Sequence, residues 1–249
     1  MSEIIPAIIA KDKEELQRKL SLVEGLVSWA QIDVTDGVFT PATTWPYVDG
    51  VISNFQFPIS KLNLEVHLMV KNPEHTIANW LASPVKRILL HYESTAPERI
   101  AELIGKITAS GKEAGLVLKL ETPLSVLDDL FHASRSLFVQ ERSDWQQTAV
   151  QRGHRQSRGF TLHVVQLMGI AEIGYYGHGF EPYALDRIKA LRAKYPDVTI
   201  EVDGGVNLEN ASVIARAGAD NLISGSAIFK TDDVKGAIDE FKSILRSTP

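Results

Sequence analysis

Short apolar runs alternate with amphipathic segments along nearly the whole chain. Apolar runs bounded by turn residues predict strands, and apolar positions three and four residues apart predict helices. The predicted strands are Ile4–Ile9, Trp29–Val34, Asn63–Leu68, Arg87–Leu90, Ala114–Leu118, His163–Met168, Val198–Val202 and Asn221–Ile223. The predicted helices are Lys13–Glu24, Glu74–Leu81, Pro97–Ala109, Pro123–Leu130, Pro182–Lys194, Asn207–Ala217 and Asp233–Leu245.

This alternation of strands with helices predicts parallel β-α units. Eight predicted strands favour an α/β fold of the closed (β/α)8 (TIM) barrel type over an open doubly wound sheet. No G-x-G-x-x-G motif follows the first strand, so the main sequence signal of an open dinucleotide-binding sheet is missing. Because the 249 residues are close to the length of about 250 typical of this barrel, we predict a single domain over residues 1–249.

Residues 132–161 depart from the alternation. They stand where a short loop should join the helix after the fifth strand to the sixth strand, and they are rich in Arg and Gln. We predict an inserted surface segment with a short helix over Leu137–Val150 and a flexible stretch over Arg152–Arg158. Docking of an acidic partner is the weaker alternative, since loops at this end of a barrel lie away from the catalytic face.

Composition narrows the range of functions. The net charge of −5 favours neither nucleic acid nor an anionic membrane as a partner, and no apolar run is long enough to cross a bilayer. The chain contains no cysteine, which excludes disulfides, thiolate metal ligands and cysteine nucleophiles. The N-terminal segment lacks the basic start of a signal peptide, so we expect a cytoplasmic protein.

Polar side chains are predicted to enter the barrel from three strands. Strand alternation points Gln31 and Asp33 inward from the second strand, His67 from the third and Asp203 from the seventh. Barrel interiors are usually filled by branched apolar side chains, and unpaired polar groups are costly there. The pattern therefore predicts a centre suited to a divalent metal such as Zn²⁺, Mn²⁺ or Fe²⁺, or to paired acid and base chemistry. For each residue alone, a turn or a hydrogen-bonded core position is the alternative.

The segments after the seventh and eighth strands predict an anion site. Asp203–Val206 (DGGV) ends the seventh strand, and Ser224–Phe229 (SGSAIF) ends the eighth and begins a helical turn at Gly225 and Ser226. Loops at these two places form the usual phosphate site of such barrels. The Gly/Tyr-rich loop Ile173–Gly179 is predicted to add N–H donors or to close as a lid, with an ordinary surface turn as the alternative.

Several segments together resemble one family. They are QIDVTDGVFTP (31–41), EVHLMVKNPE (65–74), HYEST (91–95), ETPL (121–124), VVQLMGI (164–170), EVDGGVN (201–207) and SGSAIF (224–229). With them the chain resembles the ribulose-phosphate 3-epimerase family over nearly its whole length, residues 132–161 excepted. The resemblance implies an isomerase of carbohydrate metabolism in the pentose phosphate pathway, which inverts C3 of a ketopentose 5-phosphate and interconverts D-ribulose 5-phosphate and D-xylulose 5-phosphate.

The resemblance also implies roles for single residues. Asp33 and Asp203 would transfer the two protons, and a divalent metal would be held by both aspartates, His67 and the residue at Gln31. A small-molecule sugar phosphate would be the partner, and the protein would be a homo-oligomer. Contacts to the substrate and its phosphate would come from Met69, Met168, Gly174, Gly177, Gly204, Gly205, Gly225 and Ser226.

Three site positions differ from the family pattern. Gln31 replaces the ligand histidine, Ala7 a substrate-contacting serine, and Thr35 a methionine. These changes leave open a sugar-phosphate-binding barrel or scaffold with impaired catalysis. A third hypothesis is a Schiff-base aldolase that uses Lys119, since a lysine stands at the end of the fifth strand and desolvation can activate it.

Deletion of residues 134–160 is expected to leave a folded barrel, because this segment interrupts the β-α pattern without contributing a barrel strand. Circular dichroism during thermal unfolding would measure this, with the full chain as the control. A cooperative loss of structure in the shortened chain would show instead that the barrel depends on the segment.

Overall fold

Eight parallel strands close into one barrel in the computed structural model, which describes residues 2–48, 51–52, 55–58, 60–131, 161–174 and 179–248. Each strand pairs with the next along the chain, and the last pairs with the first, so the predicted (β/α)8 barrel is confirmed. The strands are β1 (Glu3–Ile9), β2 (Trp29–Thr35), β3 (Asn63–Met69), β4 (Arg87–His91), β5 (Glu113–Leu118), β6 (Val164–Met168), β7 (Thr199–Asp203) and β8 (Asn221–Ser224).

Helices surround the barrel. Asp12 caps the first of them by accepting a 2.8 Å hydrogen bond from the Glu15 N–H, and Asp233 caps the last from the Gly236 N–H in the same way. The helices are α1 (Lys13–Val23), α2 (Ile77–Ala82), α3 (Pro97–Ala109), α4 (described over residues 126–131), α5 (Tyr183–Lys194), α6 (Ala211–Ala217), α7 (Ser226–Phe229) and α8 (Val234–Ser247). Among the residues that the structure describes, no helix is long and apolar enough to cross a membrane.

Several strands extend one residue further than the apolar pattern predicts. The extra residue is the one that directly follows the predicted apolar run, and this holds for β2, β3, β4, β7 and β8. Thr35 pairs with Met69 and Met168 pairs with Asp203, so residues at the barrel mouth still belong to the backbone ladder. The candidate site is therefore held by rigid strand ends rather than by loops.

Three helix predictions are wrong at their starts. The helix predicted from Asn207 begins at Ala211, because the Asn207 side chain accepts the Glu209 and Asn210 N–H groups and forms a turn instead. The helix predicted over Glu74–Leu81 is divided into a 3-10 turn, Pro73–His75, and α2. The helix predicted from Pro123 begins only at residue 126.

An aromatic cluster replaces a helix between β2 and β3. The described residues from 36 to 62 contain no helix, only a short antiparallel ladder of Tyr47–Val48 with Val51–Ile52. Trp45 stacks on Phe55 at 6.1 Å between ring centroids and meets Phe57 edge-on at 5.1 Å. Phe55 in turn contacts Trp80 of α2 at 4.8 Å, so these rings cover the barrel wall where a helix would pack.

The predicted strand faces are confirmed. The outward residues Ile32, Val66 and Val202 are buried in one large apolar cluster that joins the strands to the helices. The inward residues of the same strands include Gln31, Glu65 and Asp203. Alternation of side chains along each strand thus separates an apolar outer layer from a polar interior.

A buried ion cluster fills the N-terminal end of the barrel. The Arg87 guanidinium lies 2.6 Å from Glu65, 2.7 Å from Glu201 and 2.7 Å from Glu113, and it stacks over the Trp29 ring at 4.3 Å. Burial raises the pKa of the Glu65 carboxyl, and the neighbouring charge of Glu201 raises it further. Arg87 therefore provides an ion-pair partner for carboxylates that the barrel would otherwise bury unpaired.

The predicted insertion lies largely outside the described residues, which stop at 131 and resume at 161. The helix predicted over 137–150 and the flexible stretch predicted over 152–158 both fall in this gap and stay predictions.

Arg87→Met is expected to lower the free energy of unfolding by about 3–5 kcal/mol, because it leaves Glu65 and Glu201 buried without a counter-charge. Urea unfolding would measure the loss. Arg99→Met is the matched control, since Arg99 forms an exposed ion pair with Glu102 on α3 and its loss should leave stability almost unchanged. Equal stability of the two variants would show that the cluster contributes nothing.

Candidate active site at the C-terminal ends of the strands

One cavity opens at the C-terminal ends of the strands. It is lined by most of the residues that the sequence predicts for the site, namely Asp33, Met69, Met168, Gly174, Asp203, Gly204, Gly205, Gly225 and Ser226. Gly177, also predicted, lies outside the described residues. Two loops and several strand ends that are distant in sequence therefore converge on one space, as the barrel topology requires.

His67 and Gln31 are fully buried and contact the two aspartates that line this cavity. The Nδ1 atom of His67 is 3.3 Å from Asp33 Oδ1 and 3.2 Å from Asp203 Oδ2. The Gln31 amide nitrogen donates to the same two carboxylates, at 2.8 Å and 3.0 Å. The convergence of polar residues predicted from three strands is thus present in the structure.

The three charged side chains fit a divalent metal. One ligand atom each from Asp33, His67 and Asp203 lies within 4.8 Å of the other two, and all three residues are buried. Two carboxylate oxygens and one imidazole nitrogen suit Zn²⁺, Mn²⁺ or Fe²⁺. The carbonyl oxygen of the adjacent Gln31 is buried and has no hydrogen-bond partner among the described residues, so it is a further oxygen that a metal could use.

The electrostatics show why this centre needs positive charge. Burial raises the pKa of the Asp33 carboxyl, and the nearby charge of Asp203 raises it further. Burial alone would lower the pKa of His67, but its hydrogen bonds to Asp203 and Asp33 outweigh burial and raise that pKa to about 9. A cation between the two aspartates, a proton on His67 or a metal, relieves their repulsion.

A second row of side chains orients His67. Its Nε2 atom lies 2.8 Å from Nε2 of His91, whose Nδ1 is 3.1 Å from Glu93. Burial lowers the pKa of His91 to about 4, so this ring is neutral and donates one N–H to Glu93. His91 then accepts from His67 Nε2, which leaves His67 Nδ1 directed at the aspartates.

Glu93 is held in turn by the strand end of β5. It accepts the Lys119 backbone N–H at 2.9 Å and the Thr122 hydroxyl in a short contact. Burial alone would raise the pKa of Glu93, but its hydrogen bond with His91 and the contacts around it lower that pKa to about 2. An ionised Glu93 therefore anchors the chain of hydrogen bonds that ends at His67.

Two glycines after β7 allow neighbouring residues to pack closely against the backbone on the other wall of the cavity. Gly204 and Gly205 have φ values of +102° and +70°. A Cβ on Gly204 would lie 2.6 Å from the Ile170 side chain, and one on Gly205 would lie 2.5 Å from the Phe180 backbone nitrogen. The Ser224 hydroxyl donates to the Val206 carbonyl at 2.9 Å and ties the ends of β7 and β8 together.

Sequence reasoning missed Gln166, His91 and Glu93 as parts of the centre. Gln166 is fully buried, and its amide nitrogen lies 3.2 Å from Asp203 and 3.4 Å from His67. The signal was present, because Gln166 lies two residues before Met168 and strand alternation places both inside the barrel. His91 shares an inward face with Arg87 on β4 for the same reason.

The three departures from the family pattern lie at or near the site. Ala7 lines the cavity and leaves an apolar wall there. Thr35 is buried at the end of β2, and its hydroxyl oxygen has no hydrogen-bond partner among the described residues. Lys119 is not among the residues that line the described cavity, and its ammonium lies 4.8 Å from the centre of the Phe39 ring.

The fold and site define a (β/α)8 barrel with a carboxylate–histidine centre below glycine-rich loops. The model of the ribulose-phosphate 3 epimerase family matches residues 3–140 and 160–229. The chain belongs to this family. Members use a divalent metal, and the buried Asp33, His67 and Asp203 are the residues here that fit one.

Similar proteins match the chain over almost its full length. The ribulose-phosphate 3-epimerase of Escherichia coli strain K12 is 31% identical over 97% of this chain and 95% of its own length. The enzyme of the same name from Bacillus subtilis is 29% identical over 97% of this chain and 99% of its own. The one from Synechocystis is 28% identical over 99% and 95%.

Solved structures support the fold alone, since their sequence identity is low. Orotidine 5'-monophosphate decarboxylase from Sulfolobus solfataricus superposes with a TM-score of 0.60 at 14% identity, covering 100% of this chain and 99% of its own. The 3-hexulose-6-phosphate synthase from Salmonella typhimurium also has a TM-score of 0.60, at 12% identity, covering 99% and 100%.

Gly205→Ala is expected to destabilise the protein more than Gly25→Ala, which is its matched control. Both positions have positive φ, so each alanine costs about 1–3 kcal/mol of backbone strain. A Cβ at Gly25 meets nothing within 4 Å, whereas one at Gly205 collides with the Phe180 backbone and adds about 1–3 kcal/mol. Urea unfolding of both variants would measure the difference; equal losses would refute the close approach at Gly205.

Proposed function

We propose that this protein is a ribulose-phosphate 3-epimerase, an isomerase that interconverts D-ribulose 5-phosphate and D-xylulose 5-phosphate. One observation carries the proposal: the carboxylates of Asp33 and Asp203 come from separate walls of the barrel and meet on the floor of one cavity. Inversion at a carbon needs one group that removes a proton and a second group that returns one to the opposite face. Two carboxylates in this arrangement supply both groups.

Asp33 and Asp203 would take opposite roles in each turnover, one as base and the other as acid. One carboxylate takes the proton from C3 of the ketose, and the electron pair of that C–H bond moves toward the C2 oxygen to give an enediolate. The other carboxyl group then gives its proton to the opposite face of C3. Burial and the charge of Asp203 raise the pKa of Asp33, so this carboxyl is able to carry a proton.

A divalent metal held by Asp33, His67 and Asp203, with Gln31 beside them, would supply Lewis-acid stabilisation of the negative charge that develops next to C3. The chain's own contribution is to keep His67 Nδ1 facing the two aspartates, through His91 and Glu93.

Met69 and Met168 would exclude water from the reacting carbon. Both side chains line the cavity, are only 3% exposed and belong to one apolar cluster inside the barrel mouth. An apolar wall strengthens the electrostatic interactions of the nearby carboxylates and limits leakage of protons to solvent.

Backbone at Gly204, Gly205, Gly225 and Ser226 would hold the phosphate at the far wall of the cavity. Without side chains at three of these positions, an anion can approach the main-chain N–H groups directly. Gly174, which closes against Thr40, would add to this wall. The phosphate fixes one end of the ketose, so that C3 reaches the two aspartates.

A barrel that binds a sugar phosphate without epimerising it is the second candidate. Two observations favour it: Gln31 stands where the family pattern has a ligand histidine, and Ala7 leaves an apolar wall where that pattern has a serine.

The homo-oligomer and the cytoplasmic location that the sequence suggests are predictions.

Asp33→Asn and Asp203→Asn are each expected to slow exchange of the C3 proton of ribulose 5-phosphate by about 10²–10⁴-fold, since each removes one proton-transferring group. Proton NMR in deuterated water would follow the exchange, with circular dichroism to check the fold. A chelator should suppress exchange in the unaltered protein, and added Mn²⁺ should restore it.

Asp197→Asn is the control for these variants, because Asp197 is exposed and precedes β7 at the opposite end of the barrel. Exchange that persists in both aspartate variants would exclude the two-carboxylate mechanism. Phosphate-dependent binding of the sugar without any exchange in the unaltered protein would favour the second candidate.

A further inference from the structure

Two buried amide side chains meet at the centre from opposite walls. Gln31 is on β2 and Gln166 on β6, which face each other across the eight-stranded barrel. Both side chains are fully buried. Their nitrogen atoms converge on Asp203 Oδ2, at 3.0 Å and 3.2 Å, and each lies 3.4 Å from His67 Nδ1.

The carbonyl oxygens of the same amides have no partner within the described part of the chain. Neither Gln31 Oε1 nor Gln166 Oε1 has a hydrogen bond among the described residues, although both atoms are buried. A buried acceptor without a donor costs free energy, and native proteins rarely retain one without a reason. Two such oxygens, on two strands around one carboxylate cluster, point to a shared ligand.

The charge of the centre explains which atom of each amide would face it with a metal and without one. Without a metal, the aspartates need hydrogen-bond donors, and each amide turns its nitrogen toward them. With a dication between the aspartates, the carboxylates bind the cation and no longer need those donors, whereas the cation attracts oxygen. An amide carries a donor and an acceptor on one planar group, so rotation about its last side-chain bond exchanges them.

We infer that Gln31 and Gln166 are both ligands of the divalent metal through their carbonyl oxygens, which makes the donor set four oxygens and one imidazole nitrogen. This set favours Mn²⁺ relative to Zn²⁺ more than a set with a second histidine would, because carboxylate and carbonyl oxygens suit Mn²⁺ and imidazole suits Zn²⁺. The inference rests on the metal centre of the proposed function but not on the identity of the sugar.

The test is titration calorimetry of the metal-stripped full chain with Mn²⁺ and with Zn²⁺. Gln166→Leu is expected to weaken Mn²⁺ binding by at least about tenfold and Zn²⁺ binding by clearly less, so that the ratio of the two dissociation constants changes. Gln166→Glu keeps an oxygen ligand and should retain Mn²⁺ binding. Gln31→His should shift the ratio toward Zn²⁺ by about tenfold or more.

Controls separate a ligand from a packing residue. Gln56→Leu, at an exposed position, should leave both dissociation constants unchanged. Without metal, Gln166→Leu removes the amide donor to Asp203 and is expected to lower the urea midpoint, so stability alone does not separate the two roles. The ratio of the two dissociation constants separates them, because a role in packing alone predicts equal weakening of both ions.

The outcomes also separate this inference from the proposed function. An unchanged ratio in Gln166→Leu, or equal weakening of both ions, would overturn the inference and leave the epimerase proposal intact. Failure of the unaltered chain to bind either ion would overturn it together with the metal centre. The expected ratios in a protein that shows no C3 exchange would support it and contradict the epimerase proposal.

Discussion

Two buried carboxylates that face each other are the constraint on which this site depends. Asp33 and Asp203 line the floor of the cavity, and both lie against His67 Nδ1, at 3.3 Å and 3.2 Å. Burial and mutual repulsion destabilise the pair, as the raised pKa of Asp33 shows. The barrel tolerates the pair because His67 and Gln31 present donors to both carboxylates and Gln166 presents one to Asp203, and a dication would satisfy the same demand.

The barrel keeps these groups in place through strand register rather than through loops. Asp33 pairs with His67 across β2 and β3, and Met168 pairs with Asp203 across β6 and β7. At the other end Arg87 forms ion pairs with Glu65, Glu201 and Glu113, so the polar interior is paired internally at one end and open to the cavity at the other. Rigid strands that hold like-charged carboxylates close together at one end are typical of a preorganised active site.

Strand alternation predicted most of this arrangement from the sequence, because a period of two assigns each inward residue once a strand is placed. It predicted Asp33, His67 and Asp203 on one centre, and the glycines after β7 and β8 around one cavity. The start of α6 escaped prediction because the Asn207 side chain competes with the helix for backbone N–H groups. Gln166 was not predicted, because it is a single polar residue in the otherwise apolar strand VVQLM. Its role follows only from its neighbours across the barrel, which the sequence does not show.

Gln166 changes the meaning of the departure at Gln31. Taken alone, an amide in place of a ligand histidine removes a good metal ligand and argues for a weakened centre. The structure places a second amide opposite the first. Both present nitrogen to Asp203, and neither oxygen has a hydrogen bond to any residue that the structure describes. A histidine at position 31 could not present a donor in one state and an acceptor in the other by rotating its side chain, as an amide does. An apolar residue at position 166 would offer neither a donor nor an acceptor. The paired amides therefore describe a centre with altered metal preference rather than one that has simply lost a ligand.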